Sequence, residues 1–430
     1  MYPAALRRFA AKGDASNSLH HDKGIGFTLM YRVCLILPGL LPVPATQGGA
    51  IETLVTTLIK QNEVFRELDL YVVTSFDDES KRLAASFRNT HFIFVPTPSR
   101  TLSKMFHRAE VLGKLTNTLP QKYQISDLFH MRALRMIKDM AFDAVVFEGG
   151  TPWGYPAFRF LYKDRLYLHV HFCADHIIEG SQYKRIIAVS NYAAQAWKRY
   201  STRHDQDVRV VLNGIETKTL DSCKAHDADS VIMAKLGFAP TDFVVLYSGR
   251  IIRVKGLLEL TRAVSLTNGR NIKLLIIGSP DFGPSSDTEY SHQVQSAVEH
   301  LGRHAKYLGY VPHDKVADYQ YAPDVQAVPS LWEDAAPLSC VEAMAAGLPL
   351  IVTRSGGMQE YTQPECAITV EKNSDLPKTL AHAIADPKRH PEMLLSMSKA
   401  GRLLSRRYTP ENFYRTFVKA VKWQISLPLS

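Results

Sequence analysis

Residues 243–264 read FVVLYSGRIIRVKGLLELTRAV and predict the fold class of the chain. Its first five residues, Phe243–Tyr247, form a continuous apolar run that is typical of a strand buried on both faces of a parallel sheet. A glycine-containing loop follows, and apolar side chains then recur with helical spacing over Leu257–Ser265. The stretch therefore predicts a strand, a loop and a helix, which is the repeating unit of an α/β domain.

The same alternation of short apolar strands and helical patterns continues toward both ends of the chain. In the second half, strands are predicted at Lys273–Ile277, Ala305–Leu308, Val325–Val328 and Leu350–Val352. In the first half, strands are predicted at Arg32–Leu37, Leu68–Val73, His91–Val95, Ala144–Phe147, Leu166–Val170 and Ile186–Val189. Helical patterns lie between them, notably over Ile51–Ile59 and Ser339–Ala346. The predicted fold is α/β, with two Rossmann-like, doubly wound parallel-sheet domains.

The length of 430 residues, 46% of them hydrophobic, is too great for one compact core and suits two domains of roughly 200 residues. A turn at Asn213-Gly214 and a polar stretch behind it set the boundary. The predicted organisation is a loose tail (1–26), an acceptor-binding domain (27–215), a donor-binding domain (216–410) and a C-terminal helix that packs back (411–430).

Composition excludes several classes of protein. The net charge of +9 favours anionic partners, but zinc-finger spacing and aromatic-interleaved basic strands are lacking, so no nucleic acid is expected. The five cysteines are scattered without metal-ligand spacing, which fits a reducing compartment. No apolar run reaches the roughly 18 residues of a membrane span, and the first 25 residues lack a signal-peptide core. A cytoplasmic location is therefore predicted.

Candidate ligand groups follow the predicted strands, at the sheet edge where open α/β domains bind ligands. Gly249 lets a ligand approach the backbone, and the cations Arg250 and Lys255 can grip a diphosphate from two sides. The strand ending in Gly278 could accommodate a flat base, and the backbone at Val311 could contact the edge of that base.

A second group surrounds the start of the helix near Leu338. The free amides of Leu338 and Ser339, together with the helix dipole, suit a phosphate. Glu342, about one turn further on, can face the same cleft and accept two ribose hydroxyls. The acids Glu333 and Asp334 stand in the loop before the helix. Together these residues describe a nucleotide-diphosphate site.

In these residues the chain resembles glycosyltransferases of family 4, within the two-domain GT-B superfamily (glycosyl transferases group 1). The matching elements occur in the family's order between residue 32 and about residue 360. They are Gly48-Gly49, Ala188-Val189-Ser190, Asn213-Gly214-Ile215, Gly249-Arg250 to Lys255-Gly256, Gly278, Gly309-Tyr310-Val311, Pro329-Ser330, Asp334 to Gly347, and Gly356-Gly357.

The resemblance implies roles for individual residues. The family has two glutamates separated by seven residues. With Glu342 as the second of them, this spacing places Asp334 at the first position, and Glu333, one position out of register, is the alternative. Gly48 and Gly49 are expected to close over the donor phosphates. His171 resembles the family histidine that contacts the transferred sugar. The pair His169 and His171 also allows a core role or, less readily, a metal, for which no third ligand is apparent in the sequence.

The resemblance also implies a reaction. A hexosyl or N-acetylhexosaminyl unit would pass from a nucleotide-diphosphate sugar, UDP favoured and GDP possible, with retention at the anomeric carbon. The catalytic set would be His171, Arg250, Lys255, Asp334 and Glu342. No cofactor or metal is expected, because the two cations would neutralise the leaving diphosphate. A nucleotide-sugar epimerase and a catalytically silent sugar-nucleotide-binding partner subunit are the alternatives.

The acceptor is expected to be a cell-surface polysaccharide, a glycan or a lipid-linked acceptor. Residues 100–138 carry eight Lys and Arg against two acids, with apolar side chains interspersed. Such a segment is either a solvated basic face or a peripheral contact with anionic lipid at the inner face of a membrane.

Overall fold

The first sheet is formed by the N-terminal half of the chain. Its strands are β1 Tyr31–Ile36, β2 Leu68–Ser75, β3 Thr90–Val95, β4 Ala144–Glu148, β5 Leu166–Val170, β6 Arg185–Ala188 and β7 Asp207–Val210. Its helices are α1 Ala50–Phe65, α2 Asp78–Ala84, α3 Leu128–Ile137, α4 Pro156–Tyr162 and α5 Asn191–Tyr200. The strand order is β3-β2-β1-β4-β5-β6-β7, and every pairing is parallel.

The second sheet belongs to the C-terminal half. Its strands are β8 Phe243–Ser248, β9 Ile272–Ile277, β10 Ala305–Tyr307, β11 Val325–Val328, β12 Leu350–Thr353 and β13 Ala367–Val370. The helices are α6 Leu257–Leu266, α7 Glu289–Leu301, α8 His313–Val316, α9 Leu338–Ala346, α10 Met358–Tyr361, α11 Leu376–Arg389, α12 Pro391–Ser405 and α13 Pro410–Lys422. The order is β10-β9-β8-β11-β12-β13, again wholly parallel.

These bounds come from a computed structural model, which describes residues 30–96, 128–150, 156–178, 180–216, 232–267, 271–280 and 288–422. The predicted tail (1–26) lies outside the described residues. So do residues 100–127 of the basic segment and residues 217–231 of the predicted connection.

Each sheet is buried on both faces, which explains the continuous apolar runs of its strands. In β8, Val244 and Leu246 point into one core, whereas Phe243, Val245 and Tyr247 point into the other. Successive side chains of a strand face opposite sides of a sheet, so a strand covered by helices on both sides needs apolar residues at every position.

The C-terminal helix α13 returns from the second domain to the first. Phe413 and Phe417 are buried there in the same core as Leu54 of α1. The hydroxyl of Tyr414 donates a hydrogen bond of 2.6 Å to Oδ1 of Asn62. Among the described helices, none is both long and apolar enough to cross a bilayer.

Both strand orders reverse direction at one point, between β1 and β4 in the first sheet and between β8 and β11 in the second. At such a point the connections on either side leave in opposite directions, which opens a crevice at the carboxyl ends of the strands. Ligands of open α/β sheets bind in these crevices, so the two switch points locate the candidate site.

Candidate functional site

Two neighbouring cavities, of about 390 and 270 Å³, lie where the carboxyl ends of the two sheets meet. The backbone around Gly249 and Arg250 and the start of α9 border both of them. The larger cavity is also lined by His171, Lys255 and Asp334, and the smaller one by Gly48, Gly49, Gly278, Val311 and Glu342. The structure therefore brings every predicted site residue together around one composite cleft except Glu333.

The floor of this cleft is backbone held in close contact. A Cβ atom at Gly278 would lie 1.8 Å from the carbonyl oxygen of Gly249, and the φ angle of Gly278 is +145°. Only glycine fits there without displacing the loop that carries Arg250. The hydroxyl of Tyr247 donates a hydrogen bond of 2.7 Å to the carbonyl of Arg250, which fixes this loop further.

Lys255 and Asp334 form an ion pair in the larger cavity. Lys255 lies in a short 3-10 turn, and its Nζ is 2.5 Å from Oδ2 of Asp334. The same carboxylate oxygen accepts longer hydrogen bonds from Ser330 Oγ (3.3 Å) and Trp332 Nε1 (3.4 Å). Because the two side chains are only 22% and 10% exposed, the pair is largely shielded from solvent screening. Lysine has three donors, so Lys255 can hold Asp334 and still bind an anion.

Glu333 lines neither of the two cavities. Its carboxylate accepts hydrogen bonds of 2.5 Å from the amide of Gly356 and from Nζ of Lys372. Partial burial alone would raise the pKa of Glu333, but these hydrogen bonds lower it below its ordinary value. Of the two acids left open by the sequence, Asp334 is thus the one whose side chain lines the cavity.

The start of α9 provides an uncapped helix N-terminus. Pro337 stands at the N-cap position and offers no side-chain hydrogen bond to the first turn. The amides of Leu338 and Ser339 belong to the first helical turn, whose N–H groups have no partner within the helix. Both residues border both cavities. Together with the helix dipole, they form a site that favours an anion.

Glu342 lies one turn into α9 and lines the smaller cavity. One carboxylate oxygen, Oε1, is 3.0 Å from Nε2 of His313 at the start of α8. The glutamate side chain is 17% exposed and the histidine side chain 62% exposed. This leaves Glu342 reachable by a ligand that enters the cavity beside Gly278 and Val311.

The wall from the first domain begins with the loop Gly48-Gly49, which precedes α1. Gly49 occupies the N-cap position of α1 with a φ angle of +93°, and its Cβ would lie 2.1 Å from Oε2 of Glu52. Glu52 is only 5% exposed, and it lines the larger cavity. Burial raises the pKa of Glu52 to about 7. This carboxylate was not predicted from the sequence.

A second missed residue, Glu148, joins the two histidines of the first domain. It ends β4, and its Oε2 lies 2.8 Å from Nδ1 of His169 and 3.2 Å from Nε2 of His171. Burial alone would raise the pKa of Glu148, but the charge and hydrogen bonds of the histidines lower it to about 2. A charged residue that ends an otherwise apolar strand was the signal available in the sequence.

Glu148, His169 and His171 could together hold a metal ion. Their ligand atoms lie within 4.8 Å of one another, so Glu148 supplies the third potential ligand that the sequence did not reveal. Two ring N–H groups donating to one carboxylate oxygen account equally well for the arrangement. The cluster is hence a candidate for either role on geometry alone.

The second domain is similar to a known family of proteins. Residues 229–404, most of the second domain, match the model of the family Glycosyl transferases group 1. The chain is similar to the lipopolysaccharide 1,2-N-acetylglucosaminetransferase of Salmonella typhimurium, at 30% identity over 223 residues, covering 50% of this chain and 56% of that protein. It is also similar to the putative glycosyltransferase YtcC of Bacillus subtilis, at 22% identity over 386 residues, covering 86% of each chain. The match thus spans about half the length of the first relative and most of the second.

Among solved structures, the fold is similar to that of Anabaena HepE in complex with UDP, with a TM-score of 0.67 at 17% identity. The match covers 91% of this chain and 99% of that one. The predicted GT-B fold of two Rossmann-like parallel-sheet domains is confirmed. The comparisons thus show the GT-B fold for the chain and a similarity of its second domain to glycosyl transferases group 1.

Proposed function

We propose that the chain is a retaining, metal-independent glycosyltransferase of family 4. It transfers a hexosyl or N-acetylhexosaminyl unit from a nucleotide-diphosphate sugar to a polysaccharide, glycan or lipid-linked acceptor. The observation that carries the proposal is the convergence of Arg250, Lys255 and the uncapped start of α9 on one cleft. Charge stabilisation at such positions is worth most where negative charge develops during the reaction, here on the leaving diphosphate.

The remaining groups of the cleft suit the other parts of the donor. Glu342 can accept two ribose hydroxyls, and the backbone at Gly278 and Val311 can hold a base. Asp334 faces the cavity beside Lys255 and can accept hydroxyls of the sugar. We favour UDP over GDP, and the complex of HepE with UDP supports that choice.

The same charges support the proposal of metal independence. Two cations and a helix N-terminus offset the charge of a diphosphate without a divalent ion. Retention is inferred from the resemblance in the order and spacing of the motifs, including the eight-residue step from Asp334 to Glu342.

For the acceptor side, we propose a cytoplasmic enzyme that contacts anionic lipid peripherally through the basic segment 100–138. The described part of that segment includes α3, on which Met131 and Met136 are 44% and 46% exposed. Basic and apolar groups together favour an anionic bilayer surface. Sedimentation with anionic but not neutral vesicles at low salt is expected, and equal sedimentation with both would contradict the contact.

The experiment that tests the donor site is thermal stabilisation by a panel of nucleoside diphosphates, with magnesium and with EDTA. A ligand that binds only the native state raises the unfolding midpoint. We expect selective stabilisation by UDP that is unchanged by EDTA. We also expect Lys255→Ala and Glu342→Ala each to reduce turnover by roughly 100-fold or more, with the midpoint of the unliganded protein nearly unchanged.

A matched control is Lys372→Ala. Lys372 also forms a 2.5 Å ion pair, with Glu333, but neither residue lines the cavities. Its loss removes the same charge and is expected to leave turnover within a factor of about two. Equal effects of Lys255→Ala and Lys372→Ala would remove the proposed donor site. Isomerisation of the sugar nucleotide without acceptor would point to an epimerase, and binding without turnover to a silent partner subunit.

A further inference from the structure

The cluster of Glu148, His169 and His171 sits at the wall of the cleft, on two paired strands. Glu148 and His169 are direct partners in the register of β4 and β5. His171 directly follows the end of β5, two residues after His169 and on the same side of the chain. One oxygen, Glu148 Oε2, serves both imidazole rings. The side chains are 1%, 0% and 11% exposed respectively, so water contributes little to their hydrogen bonding.

The protonation states of the cluster follow from the hydrogen bonds. The pKa of Glu148 is lowered to about 2, so at neutral pH its carboxylate is ionised and only accepts hydrogen bonds. Burial lowers the pKa of His171 to about 4, so its ring is neutral. A neutral ring that donates Nε2–H to Glu148 must carry its lone pair on Nδ1.

The cluster is closed from behind by the returning C-terminal helix. The ring of His169 lies 5.8 Å from that of Phe417 and 6.5 Å from that of Phe413, both on α13. It also lies 4.3 Å from the ring of His171. Of the three side chains, His171 is the one that lines the larger cavity, together with Arg250, Lys255 and Asp334. Among these three side chains, His171 is therefore the one that can contact a ligand in the cleft, and Glu148 acts on the cleft by orienting His171.

We propose that Glu148 is a positioning residue, which holds His171 in the Nε2–H tautomer so that its Nδ1 serves the cleft as a hydrogen-bond acceptor. The proposal rests on the proposed function, in which His171 contacts the transferred sugar, as the resemblance to family 4 implies. A hydroxyl of that sugar would then donate its hydrogen bond to Nδ1. His171 thus selects donors whose sugar carries a hydroxyl within hydrogen-bonding distance of Nδ1. In the inverted tautomer Nδ1 carries the proton, so the ring would donate to the hydroxyl oxygen and could no longer accept the hydrogen bond of the hydroxyl.

The test compares the whole wild-type protein with Glu148→Gln, an almost isosteric change that replaces the acceptor-only carboxylate with an amide that also donates. Nitrogen NMR of imidazole-labelled protein, with His171 assigned through His171→Asn, reports the tautomer directly. We expect an unprotonated Nδ1 in the wild type and a mixed or inverted tautomer in Glu148→Gln. We expect kcat to fall roughly 10- to 100-fold, because His171 is no longer held in the orientation that the reaction needs. The affinity for UDP should be unchanged within about twofold.

A matched control is Asp143→Asn, at the residue just before β4 and so beyond the end of the strand opposite to Glu148. Asp143 accepts a hydrogen bond of 2.7 Å from the amide of Arg32 and lines neither cavity, so this variant reports structural damage next to β4 without a change in the cluster. We expect it to leave the His171 tautomer and kcat unchanged.

Sugar selection is checked with monodeoxy analogues of the donor. For the wild type, kcat/KM should be lower with the analogue that lacks the hydroxyl bound by His171 than with the complete donor. Glu148→Gln should lower kcat/KM little further with that analogue, because the two changes remove the same contact.

Three results would overturn the proposal: a His171 tautomer that survives in Glu148→Gln, a lost tautomer with unaltered kcat, or stoichiometric zinc in the purified protein that Glu148→Gln releases. The last would assign the cluster to a metal. If the wild type neither binds UDP nor transfers sugar, the proposed function fails, whereas the tautomer measurement still decides the role of Glu148.

Discussion

Glu52 is a carboxylate enclosed by protein at the edge of the cleft. Its residue is 5% exposed, and the pKa of about 7 lies well above the ordinary value of 4.5 because burial disfavours the charged form. Between pH 4.5 and 7 the folded protein keeps a proton that the unfolded chain releases. Stability therefore falls as pH rises through this window, and the full cost is present above about pH 7.

We expect Glu52→Gln to stabilise the unliganded protein at pH 8 by about 1–3 kcal/mol, a shift of a few degrees in the unfolding midpoint. At pH 4.5 or below the gain should vanish, because the carboxyl group is then neutral in both states. Thermal unfolding at the two pH values is the measurement. Glu63→Gln on the same helix is the control. Glu63 accepts hydrogen bonds of 2.9 Å from the amides of Arg88 and Asn89, so its loss should destabilise at pH 8. A gain from Glu52→Gln that is equal at both pH values would contradict the argument.

Among individual residues, those that could be recognised from their neighbours in the sequence were predicted. Arg250 and Lys255 stand out because they follow a strand and lie between glycines, and Glu342 because it follows a helix start. Glu148 could not be assigned in this way, since its role depends on the register that places it beside His169 on another strand. Glu52 was hidden because one acid on a helix normally marks a solvated face.

Among the elements, those with simple periodicity were predicted within a residue or two. The strand predicted at Lys273–Ile277 is observed at Ile272–Ile277, and the helix predicted at Ser339–Ala346 begins one residue earlier. The first helix was predicted to end at Ile59 but continues to Phe65. Its apolar pattern is interrupted by Asn62, which is fully buried and bonds the backbone of Leu68 in both directions. A buried polar residue that caps a strand looks, in sequence, like the end of an amphipathic helix.

On the scale of the whole molecule, the pairing of the two domains involves contacts that no local pattern announces. Glu360 on α10 of the second domain accepts hydrogen bonds from the amide of Asn191 (2.7 Å) and the amide of Tyr192 (2.6 Å). These amides open α5 of the first domain, so one domain caps a helix of the other. The neighbouring Tyr361 donates a 2.6 Å hydrogen bond to the carbonyl of Val189 and accepts one of 2.8 Å from the amide of Asn213. Both contacts tie the domains together beside the cleft.

A charged cap on a helix N-terminus is worth about 1–2 kcal/mol, through its hydrogen bonds and the helix dipole. Glu360→Gln keeps the shape of the side chain but removes the charge, so the amides of Asn191 and Tyr192 should exchange with solvent roughly 5- to 30-fold faster. Hydrogen exchange of the start of α5 measures this directly, with β1 as an internal reference that should not change. Glu371→Gln is the control, because its 2.6 Å ion pair with Arg354 is exposed and lies within the second domain. If the start of α5 kept its protection in Glu360→Gln, the internal cap from Ser190, which accepts from the amide of Ala193, would suffice alone, and the interdomain contact would contribute nothing to holding the cleft together.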